Sequence, residues 1–162
     1  MTTVESEVGN SADTDRRQRL QRTIAELLEE RQQLLVGYCR LAGISTFERR
    51  ESEAKAVHPD ALQRFLQLLV DYTALGHFEI YQRIIDGKER RAQVRQVAAE
   101  VYPAIAESTD FLVDFNDKYE DFDGDDELDS LAEDLSRLGQ LLAVRSELED
   151  RILEALQSSA RS

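Results

Sequence analysis

Residues 69–84 read L-V-D-Y-T-A-L-G-H-F-E-I-Y-Q-R-I, and this stretch decides the fold. At 3.6 residues per turn, Leu62, Phe65, Leu66, Leu69, Thr73, Gly76, Ile80 and Ile84 fall in one stripe roughly 100° wide. Leu68, Leu75, Phe78 and Ile85 project from the other side, beside Asp71 and Gln82. A helix with two apolar faces is either buried all round or offers one face to something else. Two details favour an open face. A carboxylate such as Asp71 is rarely buried unpaired. Tyr72, His77 and Tyr81 are expected beside that face, and amphipathic aromatics are common at interfaces.

Working outward, the chain keeps the same period. Leu20, Ile24, Leu27, Leu28, Leu34, Leu35, Tyr38 and Leu41 recur at three- and four-residue intervals, so a first helix is expected from Asp13 or Thr14 to Ala42, with Gly43 just past its end. A second helix is expected from Pro59 to Asp86, closed by the Asp86-Gly87 turn. Gly76 inside it costs about 1 kcal/mol relative to Ala and marks a kink or a close helix crossing. A third runs from Lys88 to Phe122, kinked or broken near Pro103, with Ser108 as a new cap. An acidic turn centred on Gly124 precedes a fourth, from Asp125 to Gln157. Residues 44–58 form a long connection. The fold expected is all-α: an antiparallel bundle of four long helices. A disordered tail (1–13) is expected before a single domain (14–158), and a short tail (159–162) after it.

Composition agrees. Charged residues are 33% of the 162 and hydrophobic residues 41%, with two prolines and seven glycines, so the chain is a globular helix former. The N-terminus has no apolar core of a signal peptide, and no run of 18 apolar residues exists to span a membrane. Cys39 has no partner for an internal disulfide, which fits a reducing cytoplasm, and is expected in or near the core. The net charge is −13, but residues 107–134 hold 13 of the 33 acidic residues and a single cation, Lys118. The remainder is nearly neutral. Direct nucleic-acid binding is disfavoured, because phosphate contacts need clustered Lys and Arg. A basic protein partner would be steered towards such a field.

Chemistry finds little footing. Two histidines and one cysteine are a thin supply of bases and nucleophiles, and there is no Gly-rich phosphate loop or nucleophile elbow, so no enzyme is expected. Asp121-Phe122-Asp123-Gly124-Asp125 fails as a calcium loop: with Gly124 sixth, the first and twelfth ligands would be Tyr119 and Ser130. No metal and no cofactor is expected. His77 is expected as a structural hydrogen-bonder.

Three blocks carry a resemblance: R-Q-Q-L-L-V-G-Y-C-R-L-A-G-I at 31–44, Ala61 to Ile85, and a weaker third of V-Y-P at 101–103, D-F at 114–115 and S-E-L-E-D-R-I-L at 146–153. In them the chain resembles the Rsd/AlgQ family of bacterial anti-sigma regulators. The resemblance implies an all-α bundle that captures the C-terminal, promoter-recognising domain of the housekeeping sigma factor, which carries a basic helix-turn-helix. Capture would keep sigma from core RNA polymerase and from the −35 element, freeing polymerase for other sigma factors in stationary phase. The family contact surface includes the Asp of the D-Y pair and the Phe of G-H-F, matching Asp71 and Phe78. Ala74 matches a small polar contact residue of the family. With the neighbouring outward residues Leu75 and Gln82, these form the expected partner-binding set. The alternative is a bundle whose surplus apolar stripe meets another protein or a second copy of the chain.

Overall fold

The computed structural model describes the backbone of residues 2–51, 59–122 and 128–161, and the side chains of 12, 14–43, 59–122 and 130–158. Helix α1 spans Thr2–Glu51 and α2 spans Pro59–Leu75. A π-helical segment, Gly76–Tyr81, leads into α3, Gln82–Ile85. Then come α4, Ala92–Tyr119, and α5, Leu128–Arg161. Among the described residues there is no strand. The expected acidic turn at Gly124 lies outside the described residues, as do residues 52–58 of the connection before Pro59.

The helices close a ring in which α1 touches α2 and α5, while α4 touches α2 and α5. Every neighbouring pair is antiparallel. Gly37 faces Phe65 and Leu68 while Gly76 faces Leu27, so α1 and α2 run opposite ways. Tyr38 reaches Leu135 whereas Arg31 reaches Glu149. Gln63 reaches Tyr119 whereas the rings of Tyr81 and Tyr102 meet. Arg151 pairs with Glu100, and Lys118 with Asp134. The architecture is therefore the expected antiparallel bundle.

Inward positions are those of the helical stripes. Leu27, Leu34, Leu62, Leu69, Ile105, Leu112, Leu131 and Leu138 are all buried in one core. Each such leucine contributes about 1.5–3 kcal/mol by leaving water. The rings of Phe65 and Phe115 meet edge to face at 6.4 Å in its centre.

Element boundaries differ from the pattern at several points. Helix α1 does not stop at Gly43 but continues to Glu51, and residues 2–13 continue it upstream of Thr14. The cost of one glycine, about 1 kcal/mol, is small, and Glu48, Arg49, Arg50 and Glu51 beyond it are helix formers. Helix α4 passes through Pro103 without a break. Both Pro103 and Ala99, whose carbonyl loses its donor, are exposed, so water takes the place of the missing N–H. Ser108 is accordingly no cap. It is buried mid-helix with its hydroxyl donating to the Ile105 carbonyl at 2.7 Å. Cys39 is exposed rather than near the core.

Two glycines are required by geometry. Gly87 ends α3 at φ +77, with its N–H on the Ile84 carbonyl and the Lys88 N–H on that of Arg83. At Gly139 any side-chain carbon would collide with the Tyr38 hydroxyl, which donates to the Leu135 carbonyl at 2.8 Å.

Candidate partner-binding surface

The second rod owes its outer face to its π-helical segment. At about 100° per residue, Tyr72 and Tyr81 would stand on opposite sides of a regular helix. The π turn holds one residue more, so Tyr81 trails by one position and the two come within roughly 80° of each other. Both tyrosines are buried, contrary to the expectation that they flank an open face. The Tyr72 hydroxyl donates to Glu149 at 2.9 Å, and that of Tyr81 donates to the other oxygen of the same carboxylate.

Glu149 is fully buried and paired. Arg31 Nη1 lies 3.2 Å from Glu149, and Arg31 Nη2 lies 2.8 Å from Asp150. Burial alone would lower the Arg31 pKa, but Asp150 and Glu149 raise it. Arg145, 1% exposed, is stacked against both rings and donates to the Ile105 carbonyl, Ser108 and Thr109. Burial, with Glu149 next in order, pushes the Tyr72 and Tyr81 hydroxyls well above their ordinary value. The network draws on all three blocks quoted above: Arg31, then Tyr72 and Tyr81, then Ser146, Glu149 and Asp150. Its work is structural, since it fixes how the π segment is rotated.

That rotation presents Phe78. It is 62% exposed, the most exposed large apolar side chain among the described residues, and the His77 ring meets it edge-on at 4.9 Å. Phe78 stands at the mouth of a groove of about 370 Å³ between the second rod and α4. Val70, Ala74 and His77 line one wall, Thr109, Val113 and Asn116 the other, with Leu69 and Leu112 beneath. Val70 and Val113 are themselves 42% and 48% exposed. Along α4, the exposed carboxylates Glu107, Asp110, Asp114 and Asp117 recur at three- and four-residue steps and form a stripe beside Val113, with Asp121 in the turn that follows. An apolar bed thus has a negative border.

The expected residues divide in three. Ala74 and Phe78 line the groove. Asp71 is exposed on the flank towards α1, accepting from Gln67 at 2.9 Å, and Gln82 is exposed beyond the π turn. Leu75, like Leu68, is half-buried and packs on the core. Sequence reasoning missed Val70, Thr109, Val113 and Asn116. The signal available was Val113 itself, an aliphatic residue lying outside the buried stripe of α4. It also missed Glu30, whose Oε2 is buried with no hydrogen-bond partner among the described residues. Burial first, then the charges of Glu26 and Asp71, raise the Glu30 pKa. A carboxylate so placed is stabilised by an arriving cation.

Among the described residues no group of side chains could hold a metal ion, and no helix is long and apolar enough to cross a membrane.

Residues 9–157 match the family described as "Regulator of RNA polymerase sigma(70) subunit, Rsd/AlgQ". A regulator of sigma D from Yersinia enterocolitica is 33% identical over 133 residues, covering 81% of this chain and 78% of the relative. One from Yersinia pseudotuberculosis is 32% identical, covering 81% and 77%. One from Salmonella paratyphi A is 34% identical over 140 residues, covering 83% of each. No solved structure matches the chain.

Proposed function

This chain belongs to the Rsd/AlgQ family of regulators of the RNA polymerase sigma(70) subunit, and from that premise we propose that it binds the C-terminal, promoter-recognising domain of the housekeeping sigma factor. Binding keeps that domain from core RNA polymerase and from the promoter. The protein acts by stoichiometric capture in the cytoplasm, with no chemical step, and residues 14–158 are the binding unit.

One observation carries the reading. Phe78 lies exposed at an apolar groove edged by carboxylates, within the stretch that carries the resemblance. A basic helix-turn-helix offers the complement: apolar side chains for the groove and Arg or Lys for its border. Asp71 and Glu30 give the same partner a second acidic contact on the flank towards α1. Phe78, Ala74, Val70 and Val113 supply the apolar contact, and Gln82 extends it beyond the π turn. Leu75 acts from beneath, by supporting the wall.

The test is a calorimetric titration with the isolated C-terminal domain of the housekeeping sigma factor. Binding at or below about 10 µM, roughly −7 kcal/mol, is expected. Absence of binding at about 100 µM would sink the proposal. Light scattering on the protein alone separates this reading from its rival: a mass that doubles with concentration and is lost in Phe78→Ala would assign the groove to a second copy.

A further inference from the structure

The end of the bundle opposite the acidic stripe carries the reverse charge. Two adjoining depressions, of about 620 and 590 Å³, share Arg16, Leu20 and Arg83. Arg16, Arg17 and Arg19 of α1 stand on one side, and Arg83, Lys88 and Arg90 of α3 and the following turn on the other. None of these six is in an ion pair among the described residues. Three carboxylates also line the depressions, Glu26, Glu79 and Glu89. Of these, Glu89 is held by Arg91 at 2.7 Å, and its pKa is lowered, against the effect of burial, by hydrogen bonds from Arg91 and by the charges of Arg91 and Arg83.

With Arg22 and Arg91, eight cations from separate segments face three carboxylates around this concavity, and the surplus positive charge favours an anion there. In a chain of net charge −13 this gathering is against the trend. Five of the six are arginines, whose planar fork suits phosphate oxygens. The floor is apolar, with Leu20, Ile24, Leu28 and Leu156. We propose that this basic depression binds a small ligand carrying a chain of two or more phosphate groups, a site distinct from the sigma-binding groove.

Size and surroundings favour a small ligand over a nucleic acid. A duplex needs an extended positive track, whereas this patch is a walled concavity on a chain whose remaining charge repels a long polyanion. The chemistry could come from a nucleoside polyphosphate, with its base on the Leu20 and Leu28 floor, or from inorganic polyphosphate alone.

The experiment is isothermal titration of the full chain, at low ionic strength, with ATP, inorganic tripolyphosphate and AMP. Tripolyphosphate and ATP are expected to bind at or below about 100 µM, and AMP at least about ten-fold more weakly. Tighter binding of ATP assigns the floor to a base, and equal binding assigns recognition to the phosphate chain; either supports the site. The double variant Arg16→Glu with Arg90→Glu should lose at least about ten-fold while keeping its helical circular dichroism and its sigma titration. Arg137→Glu on α5 should change nothing. No binding of tripolyphosphate by about 1 mM, equal loss in Arg137→Glu, or binding confined to a duplex oligonucleotide would overturn the proposal. Because sigma binding is read separately, failure of either claim leaves the other standing. If the double variant does not fold, Lys88→Glu alone, on the exposed turn, should still weaken tripolyphosphate several-fold, and an unchanged affinity counts against the site.

Discussion

Tyr72 and Tyr81 donate to one carboxylate, that of Glu149, although nine residues of a helical rod separate them. Only the π-helical segment at 76–81 makes this reach possible. The relationship ties a buried anchor to an exposed one, because Phe78 sits between the two tyrosines and turns with them. Arg31 pairs with the same carboxylate and Arg145 lies over both tyrosine rings, so the anchor is a network rather than a pair.

Removing the anchor should therefore be felt twice. Tyr81→Phe leaves Glu149 with Tyr72 and Arg31 and should cost about 1.5–3 kcal/mol, the range for a hydrogen bond to a charged group. Glu149→Leu leaves both hydroxyls and the buried Arg145 without their carboxylate, while Arg31 keeps Asp150, and should cost about 3–5 kcal/mol. Urea midpoints measure both. Affinity for the sigma domain should drop in Tyr81→Phe under conditions where the variant is fully folded. Unchanged affinity would separate the network from the presentation of Phe78.

The groove can be tested without touching the core. Phe78→Ala should weaken sigma binding by about 2 kcal/mol, near thirty-fold, as loss of a central anchor does. Val113→Asp, on the facing wall, should be at least as damaging, since it sets a charge in the apolar bed. Both residues are exposed, so thermal midpoints should change by no more than about 0.5 kcal/mol in equivalent stability. A Val113→Asp variant that binds normally would move the contact off the groove.

Glu30 makes the flank sensitive to acid. Its pKa is raised in the free protein, first by burial and then by Glu26 and Asp71. A bound cation would lower it, so binding releases a proton wherever Glu30 is partly protonated. Affinity should fall as pH drops through the range just above the ordinary carboxyl value. Glu30→Gln should flatten that profile and weaken binding at neutral pH by up to about 1 kcal/mol. Titrations at three pH values decide it, and an unaltered slope in the variant would remove Glu30 from the contact.

Alkali should attack the tyrosines. Burial, then the hydrogen bond with Asp134, pushes Tyr119 up to about 12. Tyr72 and Tyr81 are also raised. Values above the unfolded one near 10 mean that the unfolded chain loses these protons first. Their contribution is intact below about pH 10 and is lost as pH rises through the folded values. Tyrosinate absorbance should then lag in the folded protein and climb together with loss of helix. Early, complete ionisation without unfolding would contradict the network.

The helical rods and the core stripes were legible because burial imposes the 3.6-residue period on Leu27, Leu62, Leu112 and their like. Exposure of Phe78 was legible for the same reason, as an apolar residue outside that period. The burial of Tyr72 and Tyr81 was not, because a π turn shifts phase by one residue and leaves the apolar pattern intact enough to pass for an α-helix. Gly43 and Pro103 misled in a common way: both weaken a helix locally, yet neighbouring turns and exposure to water carry the chain through. Glu30 and Val113 each belong to a surface that two helices make together, Glu30 with Asp71 and Val113 with Phe78, and no single helix shows either.

Gly139 and Tyr38 limit a different kind of motion. Parallel cylinders of leucines can slide along one another with little penalty, since one smooth stripe fits another at several offsets. Here the tyrosine of α1 seats against the bare backbone of α5 and bonds a carbonyl one turn back. The notch admits the hydroxyl at one height, so the two rods are indexed axially. The bundle thereby holds Arg31 opposite Glu149 by shape as well as by charge.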